Sequence, residues 1–213
     1  MSLIVAIDGP AAAGKGTLAK RLAAHFGLPH LDTGLLYRAT GRRVLDAGGD
    51  PADPATAETA ARALVPADFA RTDLRGPEAD AAAAAVASIP TVRAALLQFQ
   101  RDFGRDHGAV LDGRDIGTIV FPQARIKLFV VASVEARGRR RWLELQARGA
   151  PAALADVTEQ VRVRDQQDRD RAAAPLVAAP DAMLLDTTDL DADATFARAL
   201  ELIDTRRGPD GRP

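Results

Sequence analysis

Cysteine is absent from this chain of 213 residues. That excludes disulfides, thiol catalysis and cysteine-based zinc sites, and it fits a reducing, cytoplasmic setting. Aromatic residues make up only 4%, too few for the stacking platforms of single-strand nucleic-acid binders. Lysine is nearly missing: among 28 Lys and Arg, only Lys15, Lys20 and Lys127 are lysines. The three histidines, His25, His30 and His107, are scattered and read as structural or exposed, not as a metal or catalytic set. No run approaches the roughly 18 apolar residues of a membrane helix. An apolar strand begins at once, so no signal peptide is expected. The formal net charge is −1, so no global basic field points to nucleic acid or an anionic membrane, and any cationic site is local.

What is present is a chain of one ordinary domain's length, with 47% hydrophobic residues, many of them alanine. The core is therefore built from small side chains. Short apolar runs alternate with helical patterns. Leu3 to Asp8, Leu28 to Leu31, Ala109 to Asp112, Ile126 to Val131 and Met183 to Thr187 read as strands. Leu18 to Phe26, Leu35 to Asp46, Glu78 to Ser88, Thr91 to Arg105, Ser133 to Arg148, Asp156 to Arg171 and Ala192 to Thr205 read as helices. Pro54 to Ala70 reads as a weak helix and an irregular stretch. Residues 206–213 read as a disordered tail after a single domain over 1–205. The alternation predicts an α/β fold with a buried parallel sheet, and ligands then belong at the C-terminal strand ends.

One stretch carries specific chemistry. Between the first strand and first helix lies Gly9-Pro10-Ala11-Ala12-Ala13-Gly14-Lys15-Gly16-Thr17. Strand, glycine-rich loop and helix are the context that gives a Walker A pattern structural meaning. Such a loop turns several backbone N–H groups onto a polyphosphate, and the helix N-terminus aims its dipole at the same anion. Lys15 supplies a compact mobile charge, and the Thr17 hydroxyl can meet a magnesium ion. The G-K-G-T ending is more typical of nucleoside and nucleotide kinases than of GTPases, and the chain has no N-K-x-D guanine motif.

Two further clusters have two readings each. Asp112-Gly113-Arg114-Asp115 ends a strand: either Arg114 clamps a second phosphate with Asp115 on a ligand amine, or the segment is a turn with a local ion pair. The run Arg162 to Arg171 puts Arg164, Asp168 and Arg171 on one helix face. It is either a solvated, self-paired helix or an element that closes over phosphates. Arg140 and Arg141 share that ambiguity. Gly149-Ala150-Pro151 reads as a hinge.

Taken together, the motifs resemble the bacterial cytidylate kinases. They run in order over about Leu3 to Leu202: I-D-G-P-x-x-x-G-K-G-T at 7–17, L-D-T-G-x-x-Y-R at 31–38, I-P-x-V-R at 89–93, D-G-R-D-I-G-T at 112–118, V-F-P at 120–122, and R-D-x-x-D-R-x-R with A-P-L at 164–176. The resemblance implies a P-loop three-layer fold with a five-stranded parallel sheet. It also implies an inserted monophosphate-binding lobe, about 38–85, and a mobile lid, about 144–166. It implies ATP-dependent phosphorylation of CMP and dCMP with Mg2+, in a cytoplasmic monomer that binds neither nucleic acid nor membrane.

By motif position, Gly9 to Thr17 hold ATP, with Thr17 on the metal. Thr33 and Arg38 touch the acceptor nucleotide, with Arg38 on its phosphate. Arg93 and Asp115 read the cytosine edge, Arg114 and Arg171 hold the acceptor phosphate, and Arg164 and Asp168 face the pentose. The catalytic set is Lys15, Arg38, Arg114 and Arg171. Two departures stand out. Arg71 to Glu78 is too short for the longer insert of enterobacterial-type members. Ala84 occupies a position where a serine often helps contact the base, which shifts selectivity onto Arg93 and Asp115 or admits UMP. The rivals are a P-loop kinase for UMP or a non-nucleotide alcohol, a nucleotide switch, and a noncatalytic sensor.

Overall fold

A computed structural model describes residues 2–150, 152–171 and 174–206. In chain order the elements are β1 (Ile4–Asp8), α1 (Lys15–Phe26), β2 (His30–Asp32), α2 (Thr33–Asp46), α3 (Pro54–Arg62), α4 (Pro66–Phe69), α5 (Pro77–Ala87) and α6 (Pro90–Arg105). Then come β3 (Ala109–Gly113), a π turn (Ile116–Val120), β4 (Ile126–Val131), α7 (Val134–Ala147), α8 (Leu154–Asp170), β5 (Met183–Asp186) and α9 (Ala192–Arg206). They divide into two compact units. One takes the chain up to His30 and again from His107; the other is Leu31–Asp106.

The sheet has five strands in the order β2-β3-β1-β4-β5, all parallel as expected. β1 lies at its centre, paired with β3 and β4. Val5, Ala6 and Ile7 are wholly buried, as a strand covered on both faces demands. Asp8 is in register with Gly113, so the loops that leave β1 and β3 emerge side by side. This register carries the Lys15 loop to the Arg114 segment.

In the first unit, Leu18, Ala19, Leu22 and Ala23 of α1 and Ala199 and Ile203 of α9 pack with Val5, Ile7, Val110, Leu128 and Val130 of the strands. In the second, Leu36, Val44, Ala57, Val86, Ile89, Val92 and Leu96 form a helical core. There α2 and α5 approach closely: a Cβ on Gly41 would lie 2.8 Å from Cβ of Ala82. The alanine-rich sequence of α5 is what permits that approach.

Several boundaries differ from the sequence reading. The second strand starts at His30, not Leu28. Pro29 lacks an N–H, and its carbonyl is the first group to pair, accepting from the Val110 N–H at 2.9 Å. α8 ends at Asp170, before Ala174-Pro175-Leu176. The Leu176 N–H then turns back to the Asp168 carbonyl at 2.9 Å. Arg206 belongs to α9 and not to a tail, its guanidinium donating to the Asp181 carbonyl at 2.8 Å. Residues 207–213, and Pro151 of the proposed hinge, lie outside the described residues. Gly149 has φ +68° and follows Arg148, the cap of α7. No single helix among the described residues is long and apolar enough to cross a membrane.

Candidate nucleotide site

The loop after β1 is shaped by steric exclusion. Gly9 has φ +147°, and a Cβ there would sit 2.0 Å from the Val130 carbonyl oxygen; only glycine fits. Ala12 takes a left-handed φ of 59°. Gly14 caps α1 with no side-chain hydrogen bond, so the first-turn N–H groups keep their capacity for an anion. Lys15 opens α1. It is 6% exposed, and its Nζ folds back to the Pro10 carbonyl at 2.7 Å. Thr17, two residues on, is exposed.

Burial pushes the Lys15 ammonium down to about 7, helped by Arg114 and opposed by Asp112, Asp8 and Asp168. Those four groups define the electrostatic shell of Lys15. Asp8 ends β1 with its carboxylate buried, accepting the Ile116 N–H at 2.8 Å and the Gly117 N–H at 2.7 Å. Burial raises its pKa to about 6 against those two bonds, with Asp115 adding to the rise and Lys15 opposing it. Asp8 thus ties β1 to the π turn behind Arg114 and Asp115. π turns recur at functional sites because they widen the backbone locally.

Asp168 on α8 gathers two of the predicted arginines. Its Oδ2 accepts from Arg114 Nε at 2.7 Å and its Oδ1 from Arg171 at 2.6 Å. Burial works against ionisation here, but Arg114, Arg171 and Arg164 outweigh it and hold the carboxyl below its usual range. Arg114 is therefore in an ion pair, though not a local one; its partner is 54 residues away. Arg164 lies four residues before Asp168 on α8, and Asp115 is buried beside Arg114. The first unit so brings together Lys15, Arg114, Asp115, Arg164, Asp168 and Arg171.

The second unit holds the remaining candidates. Thr33 opens α2 and is 3% exposed. Arg38 donates through Nε and Nη2 to one oxygen of Asp80 at 3.1 and 2.9 Å. Arg93 donates to the Ala87 carbonyl at 3.4 Å and lies 5.7 Å from the Tyr37 ring centre. Ala84 is exposed on α5.

The sequence reading missed several supports. Asp8 looked like a strand end, and Asp80, the partner of Arg38, was not singled out. His30, read as structural or exposed, is half-buried and shares a 2.7 Å contact with Asp112. Arg140 donates to Thr187 Oγ1 at 3.1 Å and the Leu190 carbonyl at 3.2 Å; it secures the β5–α9 connection. Arg137 and Asp165 form a buried ion pair. An acidic residue at the end of a central strand was the one available signal, and it pointed to Asp8.

Among the described residues, no group of three His, Asp or Glu could hold a metal by itself. A magnesium ion carried on a polyphosphate needs few protein ligands, since waters and phosphates fill its shell. The exposed Thr17 hydroxyl fits that role. A carboxylate oxygen of Asp112 lies 4.0 Å from where a Gly16 side chain would begin, so negative charge stands near the same turn.

Comparison with known proteins places the chain in a family. Residues 5–205 match the family model described as cytidylate kinase. The cytidylate kinase of Acidiphilium cryptum (strain JF-5) is 62% identical over 201 residues, covering 94% of this chain and 95% of that protein. That of Paramagnetospirillum magneticum is 61% identical over 97% of this chain and 100% of its own. A solved gluconokinase structure from Sinorhizobium meliloti 1021 covers 95% of this chain and 92% of its own at 11% identity with a TM-score of 0.53, a likeness of fold alone. On these matches, with the ordered motifs and the Lys15 loop, the chain belongs to the cytidylate kinase family.

Proposed function

We propose that the protein transfers the γ-phosphoryl group of ATP to CMP or dCMP, releasing ADP with CDP or dCDP. The observation that carries this is the convergence at Lys15. A buried ammonium on a phosphate loop is flanked by Arg114, and Arg114 shares Asp168 with Arg171. One arginine-rich cluster beside a triphosphate loop suits a second phosphate better than water or an alcohol.

The acceptor phosphate is already an anion, so the step needs no general base. Its oxygen attacks the γ-phosphorus while the bond to the β–γ bridging oxygen breaks and ADP takes the electron pair. The protein's contribution is alignment and charge neutralisation. Gly9 to Thr17 hold the triphosphate, and Lys15 follows the moving phosphoryl group. Arg38, Arg114 and Arg171 neutralise the acceptor phosphate, and Thr33 touches the acceptor. Arg93 and Asp115 read the base. Arg164 and Asp168 face the pentose; each Asp168 oxygen takes one arginine and retains a lone pair for a ligand hydroxyl. Thr17 would hold Mg2+, which would supply further neutralisation of the triphosphate's charge. A lid over about 144–166 and a monophosphate lobe over about 38–85 exclude water from the transfer. The enzyme acts as a cytoplasmic monomer.

An acceptor panel tests the reading. Purified protein with Mg-ATP is expected to turn over CMP and dCMP faster than UMP, AMP or GMP. Equal or faster turnover of AMP overturns the cytidine assignment. Raised UMP turnover that falls in Ala84→Ser would trace base tolerance to that position.

A further inference from the structure

Three carbonyls of the phosphate loop are held by side chains. Lys15 takes Pro10, Thr187 Oγ1 takes Ala13 at 3.1 Å, and Arg137 Nη1 takes Ala11 at 3.3 Å. A trans peptide is planar, so fixing a carbonyl also fixes the next N–H in the opposite direction. The held carbonyls of Pro10, Ala11 and Ala13 orient the N–H groups of Ala11, Ala12 and Gly14. These are the donors a phosphate loop offers to an anion.

Arg137 does more than its two companions. It is 3% exposed, in the first turn of α7. Its Nε donates to the Ala132 carbonyl at 2.9 Å, at the end of β4. Nη1 and Nη2 take the two oxygens of Asp165 at 2.8 and 2.5 Å. Asp165 is itself 7% exposed and lies on α8, one residue after Arg164 and three before Asp168. A single rigid guanidinium therefore joins the phosphate loop, the end of β4 and the helix that carries Arg164, Asp168 and Arg171. Its planar fork satisfies all three at once, which a lysine ammonium cannot do with the same geometry.

We infer that Arg137, with Asp165, is a positioning residue for phosphoryl transfer: it orients the donor-loop N–H groups and registers the acceptor-side face of α8 against them. This rests on the kinase reading given above. It assigns the donor and acceptor halves of the reaction to one buried ion pair, so the two halves respond differently to its two members. Asp165→Asn removes the charge pair but leaves Arg137 its bond to Ala11. ATP affinity is then retained and the acceptor side is loosened. Loss of Arg137 disturbs both.

The experiment compares R137K, D165N and the double variant R137M/D165L. The double variant removes both charges, so no unpaired ion is left in the interior. Affinity for a non-hydrolysable Mg-ATP analogue is measured by calorimetry, KM for CMP and kcat by coupled assay, and folding by thermal melting. The expected result for R137M/D165L is a cooperative melt, with analogue affinity and kcat each lowered about tenfold or more. R137K is expected to fold and to show the same direction for both. D165N is expected to keep analogue affinity within about twofold while KM for CMP rises several-fold. A folded R137M/D165L, or failing that a folded R137K, with wild-type affinity, KM and kcat overturns the inference, as does D165N losing analogue affinity with KM for CMP unchanged. Analogue binding is read without any acceptor. A wild-type chain that binds it but phosphorylates no pyrimidine nucleotide would defeat the functional reading and leave this one testable.

Discussion

On the proposed function, the buried state of Lys15 makes nucleotide binding a protonation event. In the ligand-free protein its pKa is lowered to about 7 from 10.5, chiefly by burial and next by Arg114. The neutral amine is thus favoured by the fold, and its contribution to stability grows as pH rises above about 7. A triphosphate on the loop places several negative charges at the ammonium and reverses the balance. At about pH 8 only some tenth of the ligand-free molecules carry the charge, so binding takes up about 0.9 of a proton. At about pH 6 the lysine is already charged and its own share of the uptake is close to zero. Between about pH 7 and the pKa of the bound form, affinity weakens by roughly tenfold per pH unit. Asp8, with a pKa of about 6, is ionised at the higher pH and adds nothing there. The triphosphate, with a last ionisation near about 6, is also fully charged. Calorimetry of a non-hydrolysable Mg-ATP analogue in buffers of different ionisation enthalpy reads the proton number as a slope. Lys15→Ala should flatten that slope and abolish transfer while CMP binding survives. An uptake under about 0.2 protons at about pH 8, an unchanged slope in Lys15→Ala, or near-normal turnover of that variant would refute the argument.

Three more outcomes follow from the loop and its support. Asp8→Asn keeps the size but offers one good acceptor to two N–H donors, so kcat/KM for CMP should fall about 10- to 100-fold; wild-type kinetics would show that the π turn holds itself. Because the folded pKa of Asp8 is raised from 3.8 to about 6, its stabilising effect is full below the lower value and lost as pH rises through the upper. The asparagine does not titrate, so the Tm difference between the two proteins should move in the variant's favour across that window, and a flat difference would count against a buried carboxylate. Gly9→Ala puts a Cβ 2.0 Å from the Val130 carbonyl oxygen, which forces the loop or β4 to shift. A drop of several degrees in Tm with loss of Mg-ATP affinity is expected; an unchanged melt would contradict the close approach.

What could be read along the chain was what short-range spacing determines. Alternating apolar runs located all five strands, and Ile126 to Val131 was bounded correctly, because a strand buried on both faces must be apolar throughout. The loop from Gly9 to Thr17 was legible because its residues are contiguous, and contiguity survives in sequence. Ordered motifs carried the family, since each sits at one strand end or helix face.

Tertiary structure decided which charges are partnered. Arg137, Arg139, Arg140 and Arg141 crowd one helix, and no local rule separates them. Packing of α7 buries Arg137 against Asp165, turns Arg140 to the Thr187 connection, and leaves Arg139 exposed. The pairing of Asp8 with two N–H groups more than a hundred residues away follows from the register of β1 with β3. Residues far apart in sequence meet only when a sheet order is chosen, and that choice minimises exposed apolar area over the whole chain rather than at any one motif. The amino-acid order alone determined a phosphate loop and a set of arginines. The fold determined which arginines face that loop, and which hold it in shape.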